Sequence, residues 1–541
     1  MKNIITTLLF FCITQLGTAQ TEEDAWVYFT DKENVASSIA NPLIILSQES
    51  IDRKNLHNVA IDEKDVPVNE AYIAQVKNTT GITVLAKSKW FNCIYVRGTQ
   101  ANISDLVSLS FVDSIDYADN SLDSRKSIFH TEDRTPIEKN KFGVKTTFNY
   151  GSAAQQIQQL NADYLHEQDY TGSGMTIAVM DSGFPGVNTI EGFKRIRDEG
   201  RLLDGYDFVR RDDNEFAFSG SSHGTQTFSD IAGFIDGEFV GTAPDAKYYL
   251  FITEDVATEG PKEEALWVEA AERADSLGVH VINTSLGYSN GFDNPAYDYT
   301  TSDMDGQTTF ISKGANMVFE KGMLLVSSAG NSGNSSWGII TAPGDAPGAL
   351  TVGAVDVFGS YASFSSRGPT ADNRVKPDVV AKGLGAAVIR SNNAVSTSNG
   401  TSFSSPIMAG AVACLWQAFP SMTNAEIMQL VRESASLYNN PTIQLGYGIP
   451  NFKAMFESLS IDENSVENIK VYPNPVRDRL FFDLATKELL EIRIFTTEGR
   501  IVKSETLKNL NSISLNSLSK GLYLVELISD TSRYTLKISK Y

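Results

Sequence analysis

Four positions in this chain pair a reactive side chain with a local sequence that would expose it. Only five histidines are present, His57, His130, His166, His223 and His280, so candidates for a proton acceptor near neutral pH can be sorted by elimination. His57 and His130 lie ahead of the best-patterned region, and His166 falls in a helix-like approach segment. His280 alternates within an apolar run, where it reads as a core or supporting group. His223 stands between small residues in Ser-Ser-His-Gly-Thr, which leaves room for a bulky reactant. Ser402 lies in Asn-Gly-Thr-Ser-Phe-Ser-Ser-Pro, immediately before an apolar helix over Ile407 to Trp416. There its backbone N–H is free, and the helix dipole favours an oxyanion; the same place also suits a plain N-cap. Asp181 closes the run Met175 to Met180 and precedes Ser182-Gly183. Its carboxylate can orient an imidazole, cap a helix or bind a metal. Asn331, in Ser-Ala-Gly-Asn, offers an amide donor for a tetrahedral oxyanion, or is an ordinary turn residue. Together these types would support nucleophilic acyl transfer.

Such residues need strand ends and helix starts to hold them. From Tyr150 to about Leu459, continuous apolar runs at Met175 to Met180, Val279 to Ile282, Met323 to Ser327 and Leu350 to Val355 read as strands buried on both faces. Helices are expected at Lys262 to Leu277, Asp303 to Lys321 and Ser404 to Ala418. The alternation implies a three-layer α/β domain with a mostly parallel sheet and a site at the carboxyl ends of its strands. Before it, short apolar runs at Tyr72 to Val76, Ile82 to Ala86, Cys93 to Val96 and Ser114 to Tyr117, with a helix-like stretch at Asn102 to Leu109, suggest a small α+β unit. After Ile461, period-2 alternation in Leu480 to Asp483, Glu491 to Phe495, Leu522 to Leu527 and Tyr534 to Ile538, with Gly499 and Gly521 at turns, suggests a small all-β sandwich.

A chain of 541 residues fits roughly two to four structural units. The net charge of −21 argues against a nucleic-acid partner. Residues 148–461 carry 36 acidic and 18 basic side chains, while the remainder of the C-terminal side is near balance. Met1 to Ala19 pairs Lys2 with an apolar run and small residues at Gly17 and Ala19, the pattern of a secretory signal. Three cysteines, Cys12, Cys93 and Cys414, supply no disulfide framework; Cys414 reads as a small buried hydrophobe.

The ordered pieces Ile177-Ala-Val-Met-Asp181-Ser-Gly183, Ser222-His223-Gly-Thr225, Gly241 to Ala246, Ile282 to Gly287, Ser328-Ala-Gly-Asn331, Ala342-Pro343, Phe364 to Pro369, Lys376-Pro-Asp378 and Gly400-Thr-Ser402 resemble the subtilases over about Gly151 to Asn451. The resemblance implies a serine endopeptidase in which Ser402 is nucleophile, His223 base and Asp181 orienting acid, with Asn331 in the oxyanion hole. It implies substrate contacts at Ser285, Leu286, Gly287, Ala329 and Gly330 and protein or peptide substrates; no cofactor is expected, calcium being compatible with the family but not supported by this sequence. Residues 20–125 resemble a subtilase pro-domain, a transient inhibitor, followed by a linker at 126–149 and a catalytic domain at 150–459. Residues 460–541, with Val471-Tyr-Pro-Asn-Pro475, Thr497-Glu-Gly499 and Gly521-Leu-Tyr523, are similar to the sorting domain of type IX secretion. That implies a Bacteroidota-like source, passage through the periplasm, a partner in the outer-membrane secretion machinery, and a secreted or cell-surface location.

Two departures stand out. After His223 the chain reads Gly-Thr-Gln226-Thr-Phe-Ser229 where the family continues Gly-Thr-His-Val-Ala-Gly, so local helix packing is expected to differ. The stretch Ile231 to Gly241 is too short for the family's calcium loop, so no metal is expected there, and the acidic Asp303-Met-Asp-Gly306 reads as a solvated turn. Two other readings remain: an inactive binding protein that keeps the fold, and a Ser-Glu-Asp carboxyl peptidase, which would carry glutamate where His223 stands.

Overall fold

The computed structural model describes residues 21–123, 148–464, 469–484, 490–496, 500–507, 512–528 and 533–541. The expected signal at 1–19, linker residues 126–147 and Gly499 lie outside them. The chain divides into two compact units, 1–453 and 454–541.

The first unit opens with an antiparallel sheet of β1 (Glu22–Phe29), β2 (Ile82–Ser88), β3 (Cys93–Thr99) and β4 (Val112–Tyr117), in the order β2-β3-β1-β4. Alternation sorts β1 cleanly. Ala25, Val27 and Phe29 enter the lobe's own core with Ile94, Val96 and Ile103. Trp26 faces the other way with Cys93 and Tyr95. The run Tyr72 to Val76 is helical rather than extended, because Asn69 caps a helix over Glu70–Lys77 and accepts from the Ala71 and Tyr72 amides. The helix expected at Asn102 to Leu109 starts earlier, at Gln100–Asp105, and tightens into a 3₁₀ turn at Leu106–Ser108.

The outward face of that sheet lies on two helices, Pro261–Ser276 and Phe310–Glu320. Trp26 stacks on Phe310 with ring centroids 4.9 Å apart. Glu272 accepts from Ser88 Oγ and from the Lys89 and Trp90 amides at 2.5, 2.8 and 2.9 Å. Between β1 and the Glu70–Lys77 helix, a further helix over Gln48–Leu56 brings Arg53 and Lys54 onto Asp275, with Lys54 at 3.0 Å. Lys321 reaches Asp65 at 3.0 Å. Burial alone would raise the Asp275 carboxyl, but Lys54 and Arg53 hold it well below the usual carboxylate range.

The larger part of the unit is built on β5 (Thr176–Asp181), β6 (Leu202–Asp207), a hairpin of β7 (Phe234–Ile235) and β8 (Phe239–Val240), β9 (Lys247–Ile252), β10 (Val281–Thr284), β11 (Leu324–Ser328), β12 (Ala349–Val355) and β13 (Val379–Lys382). Apart from the hairpin these form one parallel sheet, ordered β13-β12-β11-β10-β5-β9-β6. Helices His223–Ala232 and Thr401–Ala418 pack together, the latter also against β10 to β13, while Pro261–Ser276 and Phe310–Glu320 form another layer. The strand order reverses about β5, whose carboxyl end is the place where such sheets carry sites.

Two helix starts differ from expectation. Asp303 and Asp305 turn their carboxylates onto nearby amides and hydroxyls at Thr300, Gln307 and Thr308, so the helix begins only at Phe310, capped by Thr309. The Thr401–Ala418 helix begins three residues before Ser404, which puts Ser402 inside its first turn and Pro406 beyond it. Pro406 cannot donate to the Ser402 carbonyl; the Ser285 hydroxyl does so instead, at 2.9 Å.

The second unit is a sandwich. Strands Ile469–Tyr472, Arg479–Leu484 and Ser512–Ser514 face a sheet of Leu490–Thr496, Ile501–Leu507, Gly521–Ile528 and Arg533–Lys540. Val476, Leu480, Phe482, Ile492, Ile494, Val525, Leu527 and Ile538 fill it. Gly521, expected in a turn, is the first residue of its strand.

Asp275→Ala would leave Arg53 as a buried cation without a carboxylate and Lys54 with Asp65 alone, and we expect a loss of about 3–5 kcal/mol. Thermal unfolding of the whole chain measures it, with removal of the exposed Lys194–Asp198 pair as the control that leaves the midpoint unchanged.

Candidate active site

Asp181 is the last residue of β5 and is fully buried. Its Oδ1 accepts from His223 Nδ1 at 2.7 Å, the Ser182 amide at 2.7 Å and Ser182 Oγ at 3.2 Å. Its Oδ2 accepts from Thr227 Oγ1 at 3.0 Å. A buried carboxylate needs such donors. His223 and Thr227 are one helical turn apart on Gln226's helix, His223–Ala232, so a single helix face supplies two of them. Gly224 makes the approach possible: a Cβ there would lie 2.6 Å from the Gly183 carbonyl oxygen and 3.0 Å from Asp181 Cβ. His223 remains 33% exposed at its side chain. Desolvation pulls its pKa down, but the Asp181 charge and hydrogen bond outweigh this and raise it above the ordinary value of 6.5.

Ser402 is 7% exposed and follows Gly400, which takes φ +152°, a conformation that suits glycine. Its Oγ donates to the Ser285 carbonyl at 3.1 Å; among the described residues it has no hydrogen bond to His223. The two lie close nonetheless, since the His223 ring is 5.9 Å from that of Phe403, the neighbour of Ser402. Asn331 Oδ1 accepts from the Thr401 amide at 2.9 Å and from Thr401 Oγ1 at 3.0 Å. The amide group is thereby oriented, and among the described residues its Nδ2 has no hydrogen-bond partner. Neither Thr401 nor Ser402 is the N-cap, which is Gly400.

All four chemically singled-out residues thus sit at the carboxyl edge of the sheet or in the helix start beside it. The other described histidines do not join them. His166 bridges Tyr150 and the Thr242 carbonyl, and burial drives it down to about 4. His280 accepts from the Thr176 amide, and His57 packs on Trp416. Cys414 is buried and donates to the Thr242 carbonyl.

Sequence reading passed over Glu254, which follows β9. Tyr288 donates to its carboxylate at 2.8 Å; burial first, then Glu259, push its pKa up, and Asp181 adds to the rise. Carboxylate oxygens of Glu254, Glu259 and Glu263 lie within 4.8 Å of one another. Glu263 accepts from the Asp255 and Gly260 amides, and burial followed by Glu254 raises it too. No sequence signal marks this cluster, because its members meet only through the loop that joins β9 to the next helix.

The model of the subtilase family matches residues 172–449. This chain belongs to that family. A peptidase S8 propeptide domain of Bacteroidota matches residues 24–134, and a secretion system C-terminal sorting domain matches 470–540. Subtilisin E of Bacillus subtilis (strain 168) is 30% identical over 304 residues, 55% of this chain and 70% of its own. Subtilisin of Bacillus pumilus is 30% identical over 304 residues, covering 55% and 96%. Among solved structures, MycP1 from Mycobacterium smegmatis is similar at 24% identity and a TM-score of 0.44, over 59% of this chain and 90% of that one.

The subtilase is therefore a serine endopeptidase with a propeptide and a sorting tail, and the tail assigns it to secretion or the cell surface. Among the described residues no helix is long and apolar enough to cross a membrane. The departure after His223 has a local consequence: Thr227 puts a hydroxyl on Asp181. Thr227→Val would leave Asp181 Oδ2 without a donor. We expect a stability loss of about 1–3 kcal/mol, read by denaturant unfolding, with Thr227→Ser restoring most of it.

Proposed function

We propose that Ser402, His223 and Asp181 are the catalytic triad of this peptidase and that Asn331 and the Ser402 amide bind the oxyanion. The observation that carries the reading is the 2.7 Å pairing of His223 with buried Asp181, beside a serine in the first turn of a helix. Ser402 Oγ turns from the Ser285 carbonyl to His223 Nε2, gives up its proton and attacks the peptide carbonyl carbon. The resulting oxyanion takes hydrogen bonds from Asn331 Nδ2 and the Ser402 N–H. His223 then passes its proton to the leaving amine, the C–N bond breaks, and an ester of Ser402 remains. Water repeats the sequence, with His223 as base, and releases the acid. Asp181 holds the Nδ1–H tautomer and stabilises the imidazolium. Ser285, Leu286, Gly287, Ala329 and Gly330 line the path of the substrate strand. Side chains and backbone amides suffice, without metal or cofactor. Protein and peptide substrates, the chain's own N-terminal lobe as a transient inhibitor, and an outer-membrane secretion machinery engaged through the C-terminal unit complete the reading.

Hydrolysis of denatured casein by the matured protein, with fluorophosphonate labelling, tests it. Wild type should cleave and label, and Ser402→Ala should do neither. A mature wild type that does neither would sink the reading in favour of a binding protein. Asn331→Ala should label slowly and lose about 10²- to 10³-fold in kcat, the scale for one oxyanion donor.

The acid limb of activity follows from His223. The base must be neutral to accept a proton, and its pKa is raised. Activity should therefore rise with pH through a midpoint above 6.5, and a kcat/KM profile with its limb at or below that value would contradict the Asp181 pairing.

A further inference from the structure

Ser402 is delivered by a short excursion outside the main sheet. Two antiparallel strands, β14 (Ala386–Ile389) and β15 (Val395–Ser398), pair with each other and with no other strand among the described residues. β15 then runs through Asn399 and Gly400 into the helix that starts at Thr401. In such a pair alternate residues turn their amides and carbonyls away from the partner strand. Ala387 and Ile389 are buried, so their outward groups need partners other than water. Side chains supply them. The Ala387 amide donates to Gln156 Oε1 at 2.8 Å, and its carbonyl accepts from Gln156 Nε2 at 3.2 Å. The Ile389 amide donates to Ser229 Oγ at 2.9 Å.

These partners belong to the helix that carries the base, or are tied to it. Gln156 Nε2 also donates to Asp230 Oδ1 at 2.8 Å. His223, Gln226 and Asp230 lie at i, i+3 and i+7 along His223–Ala232, which is one face of a helix, and Ser229 adjoins it three residues after Gln226. The Ser229 hydroxyl donates to the Gln226 carbonyl at 2.6 Å, so its proton is spent and its oxygen is left to accept. Gln226 Nε2 donates to the Ser222 carbonyl at 3.4 Å. That turns Oε1 to the hairpin, where it accepts from Ser398 Oγ at 3.2 Å and Arg390 Nη1 at 3.5 Å. Arg390 in turn closes the hairpin on itself by donating to Ser396 Oγ at 2.6 Å. Ser398 stands four residues before Ser402. Gln226 and Ser229 are two of the positions at which the chain departs from the family's sequence after the histidine.

We propose that Gln226 and Ser229 are positioning residues for the proton transfer: they fasten the hairpin that delivers Ser402 to the helix that delivers His223, and so set the separation of Ser402 Oγ from the imidazole. Asp181 fixes how the ring is turned, and the hairpin bonds fix where the serine stands relative to it. A general base must come within about 3 Å of the group it deprotonates, and a misplacement of about 1 Å costs on the order of 10²-fold, so bonds at this seam act on turnover without touching the reacting atoms. This rests on the catalytic assignment above, and the test separates the two.

Matured wild type, Ser229→Ala, Gln226→Leu and Gln226→Glu are compared for hydrolysis of a peptide nitroanilide, rate of fluorophosphonate labelling and thermal midpoint. Ser229→Ala leaves the Ile389 amide without its acceptor, and Gln226→Leu does the same to the Ser398 hydroxyl. Each should lower kcat and the labelling rate by about tenfold and leave KM within about twofold of wild type. Gln226→Glu still accepts from Ser398 and Arg390 and should recover most of the loss. A purely structural role would lower the midpoint and leave kcat and labelling of the folded protein at the wild-type level; that result overturns the proposal, as does a loss in Gln226→Glu equal to that in Gln226→Leu. A wild type that neither labels nor cleaves removes the triad and the positioning role with it. Should Ser229→Ala misfold, the two Gln226 variants decide the question.

Discussion

A carboxylate at the end of a fully buried strand is the constraint around which the site is organised. Asp181 has no access to water, and an ionised carboxylate in such a place is costly without donors. It collects four, from His223, Thr227 and both the amide and hydroxyl of Ser182. Two come from one helix face and two from the residue next in chain, so β5 and the His223–Ala232 helix cannot shift independently. Gly224, which keeps the helix close to Gly183, belongs to the same requirement. The imidazole is thus held by satisfying a buried charge, and its own upward pKa shift reports the same interaction from the other side.

The nucleophile's side is fixed by the opposite need, for acceptors and donors left over where a helix starts. Asn331 takes the Thr401 amide and hydroxyl, while Ser285 accepts from the Ser402 hydroxyl and donates to the Ser402 carbonyl. Pro406 contributes by having no N–H to give that carbonyl. Three segments from the ends of β10 and β11 and the helix start are knitted at one point. Among the described residues the Ser402 N–H and Asn331 Nδ2 have no recorded acceptor, and an oxyanion requires such free donors.

How legible this was follows from the range over which each feature is encoded. Asp181, His223, Asn331 and Ser402 stood out because their chemistry shows in the residues immediately beside them, and the parallel sheet because its strands are buried on both faces. Tyr72 to Val76 misled because a five-residue apolar run has no period of its own; the cap at Asn69 decided it. Asp303 and Asp305 looked compatible with a helix start and instead spend their carboxylates on local turns, so the helix waits for Thr309. The Thr401 start was hidden by Pro406, which reads as a first-turn residue and is not one. Glu254 carried no signal at all. Its significance comes from long-range placement, in a loop that folds three carboxylates together.

The N-terminal lobe joins the peptidase domain through two kinds of contact with different consequences. Trp26, Trp90, Cys93 and Tyr95 share a core with Phe310, Ala265 and their neighbours, an apolar contact that gives affinity with little directional demand. Arg53 and Lys54 on Asp275, Lys321 on Asp65, and Glu272 on the Ser88 turn add a second, polar contact that is fully desolvated and tolerates only one geometry. Charges so buried add little net stability compared with an apolar equivalent, yet removing one partner is severe. They therefore fix how the lobe sits more than how tightly it holds. The propeptide domain is thus oriented on the peptidase domain by ion pairs and held there by the shared apolar core.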